Sequence, residues 1–155
     1  MCGIFGSINH EIDQDFLQNY LPKVMKLQNH RGPDSEGTYV DPLKGILMGH
    51  NRLSIVDLTE TGSQPMKSSC GNYVLVYNGE IYNAPYLKNK YLKNVNLSGR
   101  SDTEILLELL ARFSLEEFIN KIDGMFAFAI YSRIDDSVKL VRDRSGQKPL
   151  FYYHD

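Results

Sequence analysis

Cysteine is scarce: the chain holds only Cys2 and Cys70, far apart. Two thiols exclude a disulfide-stapled scaffold, and neither belongs to a C-x-x-C pair of the kind that carries redox chemistry. Histidine is equally thin. His10, His30, His50 and His154 show no ligand spacing, so neither a structural nor a catalytic zinc site is expected. No apolar run is long enough to span a bilayer, and the N-terminus lacks a basic segment followed by an apolar one. The expected address is therefore cytoplasmic. Lysine and arginine form no block and the net charge is −2, which argues against a general affinity for nucleic acid or an acidic membrane. Repeats, low-complexity stretches and linkers are missing as well, so 155 residues read as one domain with a real core.

What is present begins at the first six residues, Met1-Cys2-Gly3-Ile4-Phe5-Gly6. A cysteine directly after the initiator methionine gains a property no internal cysteine has. Once Met1 is removed, thiol and α-amine sit on one residue. The free amine titrates at roughly 7.7–8.0 and the thiol at about 8.5, so the amine can take the thiol proton near neutrality. Nucleophile and base then share a single residue, as in N-terminal threonine enzymes. Taken alone, Met-Cys-Gly favours a small buried apolar residue; the rest of the chain has to decide.

Residues 2–8 read as a strand. Asp13 or Asp15 is placed to cap a helix bearing Phe16, Leu17, Tyr20, Leu21, Val24, Met25 and Leu27, and Pro22 demands either a kink or a helix that properly starts there. Residues 38–40 and 45–50 form a hairpin around Asp41-Pro42, and 52–57 are extended, followed by a loop over 59–72. Residues 73–77 are a continuous apolar strand ending at Asn78-Gly79-Glu80. Asn83-Ala84-Pro85 starts a short helix. Ser101-x-x-Glu104 and Ser114-x-x-Glu117 are capping boxes, the first opening a helix with Ile105, Leu106, Leu109, Leu110 and Phe113 on one face. Residues 125–131 and 138–141 are strands around an Asp135-Asp136 turn, and 150–153 begin a last one. Strands 73–77 and 125–131 are apolar on both faces and so must be covered twice. With helices fewer than strands and hairpin turns recurring, the expectation is α+β: two antiparallel sheets packed together, with helices outside.

Seven motifs occur in order: Cys2-Gly3-Ile4-Phe5-Gly6, His30-Arg31-Gly32-Pro33-Asp34, His50-Asn51-Arg52-Leu53-Ser54-Ile55-Val56-Asp57, Gln64-Pro65, Asn78-Gly79-Glu80-Ile81-Tyr82-Asn83, Ser101-Asp102-Thr103-Glu104 and Gly124-Met125-Phe126-Ala127-Phe128. Together they resemble the N-terminal glutaminase domain of glutamine-hydrolysing asparagine synthetase, a class II glutamine amidotransferase and N-terminal-nucleophile hydrolase. The resemblance covers the whole chain. It implies an αββα sandwich, and further strands in that family suggest a domain incomplete at its C-terminus over residues 1–155. Glucosamine-phosphate and phosphoribosylamine amidotransferases share the N-terminal cysteine, but residues 78–83 and the Arg-Gly-Pro-Asp loop fit the asparagine synthetase type better.

The resemblance makes Cys2 the nucleophile that attacks the side-chain amide of L-glutamine and forms a thioester. It makes Asn78 and Gly79 the oxyanion hole. Asn-Gly is also a strong signal for a tight hairpin turn, and the residues alone leave both readings open. Arg52 resembles the family's carboxylate anchor, in the run Arg52, Leu53, Ser54, Ile55 and Val56 that lines the pocket. Its planar fork suits a carboxylate. Asp102 and Glu80 resemble the acids that meet the α-amine. As plain chemistry, Arg52 and Glu80 read equally as surface charge, and Asp102 as an acid stabilising a helix N-terminus. The run Ser98-Gly99-Arg100-Ser101-Asp102 superficially resembles a phosphate-binding loop. Arg100 stands where a second glycine is needed and Asp102 would repel phosphate, so no nucleotide is assigned to it.

The family implies ammonia passed to an ATP-dependent synthetase domain or subunit, with ATP and magnesium needed only there and no cofactor in this domain. The competing reading is a catalytically inactive glutamine-binding or partner-docking fragment, for which no free amine is required. Exposed sheet edges in an incomplete sandwich favour association into a homo-oligomer.

Overall fold

The computed structural model describes residues 2–8, 11–54 and 59–154. Strands β1 (Gly3–Ser7), β2 (Ser35–Asp41) and β3 (Ile46–Arg52) form one sheet in the order β1-β3-β2. Strands β4 (Met66–Lys67), β5 (Tyr73–Ile81), β6 (Gly124–Ser132) and β7 (Ser137–Arg142) form a second sheet in sequence order. Every pairing among the described residues is antiparallel. Helices α1 (Leu21–Gln28), α2 (Ala84–Tyr91), α3 (Asp102–Leu110) and α4 (Leu115–Phe118) complete the chain.

Side-chain alternation sets the layers. On β3, Ile46 and Met48 point at the second sheet and meet Val74, Val76 and Tyr131. Leu47 points the other way, onto Leu21 and Met25 of α1. On β5, Leu75, Tyr77 and Ile81 pack against Ile105, Leu106 and Leu109 of α3. The layers are therefore helix, sheet, sheet, helix, and the central strands are buried on both faces, as their apolar runs demand. Each fully buried Leu or Ile stabilises this arrangement by about 1.5–3 kcal/mol.

The helix starts follow local chemistry. Asp13 Oδ1 accepts from the Phe16 amide at 2.7 Å, a π-helical turn follows over Phe16–Tyr20, and α1 begins with Pro22 in its first turn. Leu27, placed in the apolar stripe by spacing, is exposed. Ser101 and Ser114 accept from the amides of Glu104 and Glu117, at 3.2 and 3.1 Å. Glu104 does not return to its cap residue. It takes the Ser98 and Gly99 amides at 2.7 and 2.8 Å, so a carboxylate of the chain itself fills the loop that superficially resembles a phosphate cradle.

Three expectations are corrected. The strand expected to stop at Asn78 continues to Ile81, paired with β6 through Asn78↔Ala127 and Gly79↔Phe126, so Asn-Gly is not a hairpin turn. The loop expected over 59–72 contains a 3-10 turn at Glu60–Gly62 and the two-residue β4. Residues 150–153 form no strand: Phe151, Tyr152 and Tyr153 are exposed and take no ladder partner among the described residues. An apolar pattern supplies side chains for a strand but cannot supply its neighbour. Of the extended run over 52–57, Arg52 ends β3, residues 53 and 54 are irregular, and 55–57 lie outside the described residues. Among the described residues no helix is long and apolar enough to cross a membrane.

Candidate active site

The register of β1 on β3, Gly3↔Asn51 and Ile4↔His50, aligns the chain start with the end of β3. Ile4 and Met48 face the second sheet, so the period of two puts Cys2, His50 and Arg52 on that same inter-sheet side. Val74 and Val76 face back, which puts Asn78 and Glu80 opposite them. Where the two sheets open at this end they leave a cleft of about 150 Å³, lined by Cys2, Arg52, Leu53, Asn78, Gly79 and Asp102 among others. A larger hollow of about 350 Å³ lies between the end of α3 and the β6–β7 hairpin and is lined by none of the candidate site residues.

Cys2 is half-buried, and the Leu53 amide donates to its Sγ at 3.4 Å. Asn78 is buried on the floor of the cleft. The direction of the Gly79 amide follows from the ladder. Its partner Phe126 turns both backbone groups toward β7, accepting from the Asp143 amide at 2.8 Å and donating to Asp143 Oδ2 at 3.2 Å. Gly79 and Phe126 are thus a non-hydrogen-bonded pair, and the Gly79 N–H points away from β6. On that outer edge the Tyr77 amide donates to Gln64 Oε1 at 2.6 Å and the Ile81 amide to Asp102 Oδ2 at 2.9 Å. β4 reaches only Val74 and Leu75, so the Gly79 amide faces past its end. Glycine is required here by close approach: a Cβ would stand 2.3 Å from the Met125 carbonyl oxygen and 2.7 Å from Phe126 Cα.

Asp102 opens α3, and its Oδ2 also accepts from the Tyr77 hydroxyl at 2.7 Å. Burial, reinforced by the Asp102 charge, pushes the Tyr77 hydroxyl well above the ordinary tyrosine range and keeps it a donor. Asp102 Oδ1 takes no hydrogen bond from a described residue. Arg52 is 8% exposed, and its Nη1 donates to the Thr59 carbonyl at 2.8 Å. Glu80 is exposed at the rim. Leu53 and Ser54 follow β3, and the Ser54 amide donates to Asp34 Oδ2 at 2.7 Å, so the Arg-Gly-Pro-Asp loop pins the pocket segment. Ile55 and Val56 lie outside the described residues, as does Met1.

Sequence reasoning missed Tyr77, Gln64 and Lys148 as cleft residues. Gln64 carried a signal as part of a quoted motif; a lysine in a polar tail carries none. Among the described residues no group of His, Cys, Asp and Glu is arranged to hold a metal.

Over residues 1–155 the sequence matches the family described as glutamine amidotransferase domain. The chain belongs to that family. As a glutamine amidotransferase domain it is 36% identical over 155 residues to asparagine synthetase B [glutamine-hydrolyzing] of Escherichia coli, covering 100% of this chain and 27% of that protein. It is 40% identical to asparagine synthetase [glutamine-hydrolyzing] 1 of Bacillus subtilis, covering 98% of this chain and 24% of the relative. A putative asparagine synthetase of Methanocaldococcus jannaschii is 35% identical over 171 residues, with 100% of this chain and 32% of the relative covered. The chain thus spans about a quarter to a third of these relatives. Among solved structures, glutamine phosphoribosylpyrophosphate amidotransferase from B. subtilis superposes with a TM-score of 0.61 at 21% identity, over 84% of this chain and 35% of that one. That likeness shows the shared fold, two antiparallel sheets packed between helices.

Proposed function

We propose that this domain hydrolyses L-glutamine to glutamate and ammonia through a Cys2 thioester, and that the ammonia serves amide transfer in asparagine synthesis by an ATP-dependent synthetase domain or subunit. The observation that carries this reading is a half-buried cysteine one residue from the chain start, in one cleft with Asn78 and an outward-facing Gly79 amide. In the processed enzyme the α-amine takes the Cys2 proton and the sulfur attacks the glutamine side-chain carbonyl carbon, forming the C–S bond. The carbonyl oxygen becomes an oxyanion held by the Asn78 side-chain amide and the Gly79 N–H; each such donor typically contributes roughly 3–4 kcal/mol in the transition state. Collapse breaks the C–N bond, and the α-ammonium returns its proton to the leaving ammonia. Water then adds to the thioester through a second oxyanion, the C–S bond breaks, and glutamate leaves with the thiol restored.

The outer end of the substrate carries opposite charges at fixed separation. Arg52, whose Nη1 donates to the Thr59 carbonyl, offers the planar guanidinium that suits the α-carboxylate. Asp102, with Oδ1 open, and Glu80 meet the α-ammonium. No step calls for a cofactor within this domain.

The test compares a form retaining Met1 with a processed form otherwise identical, measuring ammonia release from glutamine and intact mass. Only the processed form should release ammonia. Equal rates from both would mean that the α-amine is not the base.

A further inference from the structure

Asp102 stands in the first turn of α3, where an acid favours the helix dipole without needing a partner of its own. The cap itself is Ser101, which accepts from the Glu104 amide at 3.2 Å and leaves the Asp102 carboxylate for another use. That carboxylate is turned onto β5. Its Oδ2 takes two donors from the strand, the Ile81 amide at 2.9 Å and the Tyr77 hydroxyl at 2.7 Å. Tyr77 is itself held firmly: it is 2% exposed, packs with Ile105, Leu106 and Leu109 of α3, and its amide donates to Gln64 Oε1 at 2.6 Å. Burial keeps its hydroxyl protonated and therefore a donor.

Two donors on one oxygen fix the rotamer and the plane of the carboxylate, which the helix dipole alone does not require. The other oxygen, Oδ1, takes no hydrogen bond from a described residue, and Asp102 lines the cleft with Cys2 and Asn78. An acceptor already oriented loses less freedom when a charged donor arrives, so more of that contact is kept as affinity. We propose that Tyr77 is a positioning residue that sets substrate preference: its hydroxyl secures Asp102 for the α-ammonium of the substrate, and so favours amides of α-amino acids over amides that lack the amine. Asn78, the next residue, projects from the opposite face of β5, so the hydroxyl of Tyr77 acts on substrate binding rather than on the oxyanion. The inference rests on the glutaminase reading and deepens it, naming a residue that works through Asp102.

The test uses the processed chain with Tyr77→Phe, which keeps the ring and removes the hydroxyl. Tyr77→Met stands in if that variant does not fold, since the comparison between two amides holds for either. Kinetics are read with L-glutamine and with glutaramate, which is glutamine without its α-ammonium. For glutamine, KM should rise about fivefold to twentyfold while kcat changes less than about threefold. That is below the full worth of a hydrogen bond to a charged acceptor, because the Ile81 amide still holds the carboxylate. For glutaramate, kcat/KM should stay within about twofold, so the preference for glutamine shrinks. In an Asp102→Asn background, Tyr77→Phe should change the glutamine KM by less than about twofold, because the two residues act as one unit. Equal losses for both amides overturn the proposal and leave Tyr77 a support of the fold. An unchanged glutamine KM, or a kcat that falls with KM intact, overturns it as well. If the wild-type processed chain releases no ammonia, the glutaminase reading itself fails, and calorimetric binding of the same two amides decides the role of Tyr77. Selective weakening of glutamine by Tyr77→Phe then upholds it; equal weakening, or no binding of glutamine, overturns it.

Discussion

His50 makes the stability of this domain depend on pH. The side chain is fully buried between the sheets, and neither ring nitrogen makes a well-directed hydrogen bond with a described residue. Burial lowers its pKa from 6.5 to about 4; a backbone contact with Tyr77 opposes the shift and the Arg52 charge adds to it. The native imidazole is thus neutral at pH values where the unfolded chain already binds a proton. Stability from this site is complete above about pH 6.5 and is lost as pH falls toward 4. The full shift corresponds to about 3 kcal/mol, of which about 2 kcal/mol should be gone at about pH 5. Glu108 and Asp143, held below the ordinary carboxylate range, keep their charge through this interval. Urea unfolding at about pH 7.5 and about pH 5, with unchanged slope, measures the loss directly. His50→Gln supplies the comparison: whatever it costs in absolute stability, its unfolding free energy should be nearly flat across the same interval. If wild type and His50→Gln lose the same stability between the two pH values, the buried neutral imidazole is not the origin of the dependence.

Asn78→Ala should lower kcat roughly a hundredfold to a thousandfold with little change in KM, since its donor meets charge present only in the transition state. A raised KM with kcat intact would make it a binding residue instead. Arg52→Ala and Asp102→Asn should each weaken glutamine by about 1.5–3 kcal/mol, read as KM; unchanged values in both variants remove these residues from the substrate contacts. Gly79→Ala should destabilise the fold by about 1–3 kcal/mol, because the new methyl meets the backbone of β6. An unaltered melting temperature would show that β5 and β6 are not so close there.

The layers were legible because burial on both faces leaves a signature in the central strands, and Cys2, Arg52, Asn78, Gly79 and Asp102, singled out through the family resemblance, line one cleft. Neither signal reaches β4: two residues are too few to show a period, and the strand exists because β5 offers an edge beside it. Lys148 was invisible for a related reason. Nothing near it distinguishes a surface lysine from a buried one until Asp143 fixes its amide beside that of Phe126. Asn78 and Gly79 are the instructive case. Locally they favour a tight turn, and a turn would have consumed the Gly79 amide in its own closing bonds. The ladder with β6 overrides that preference and carries the strand through to Ile81. Because the strand continues, Asn78 lines the cleft with Cys2 while the next residue turns its N–H past the end of β4. The placing of Asn78 and Gly79 in the cleft follows from a strand that does not turn where its sequence favours a turn.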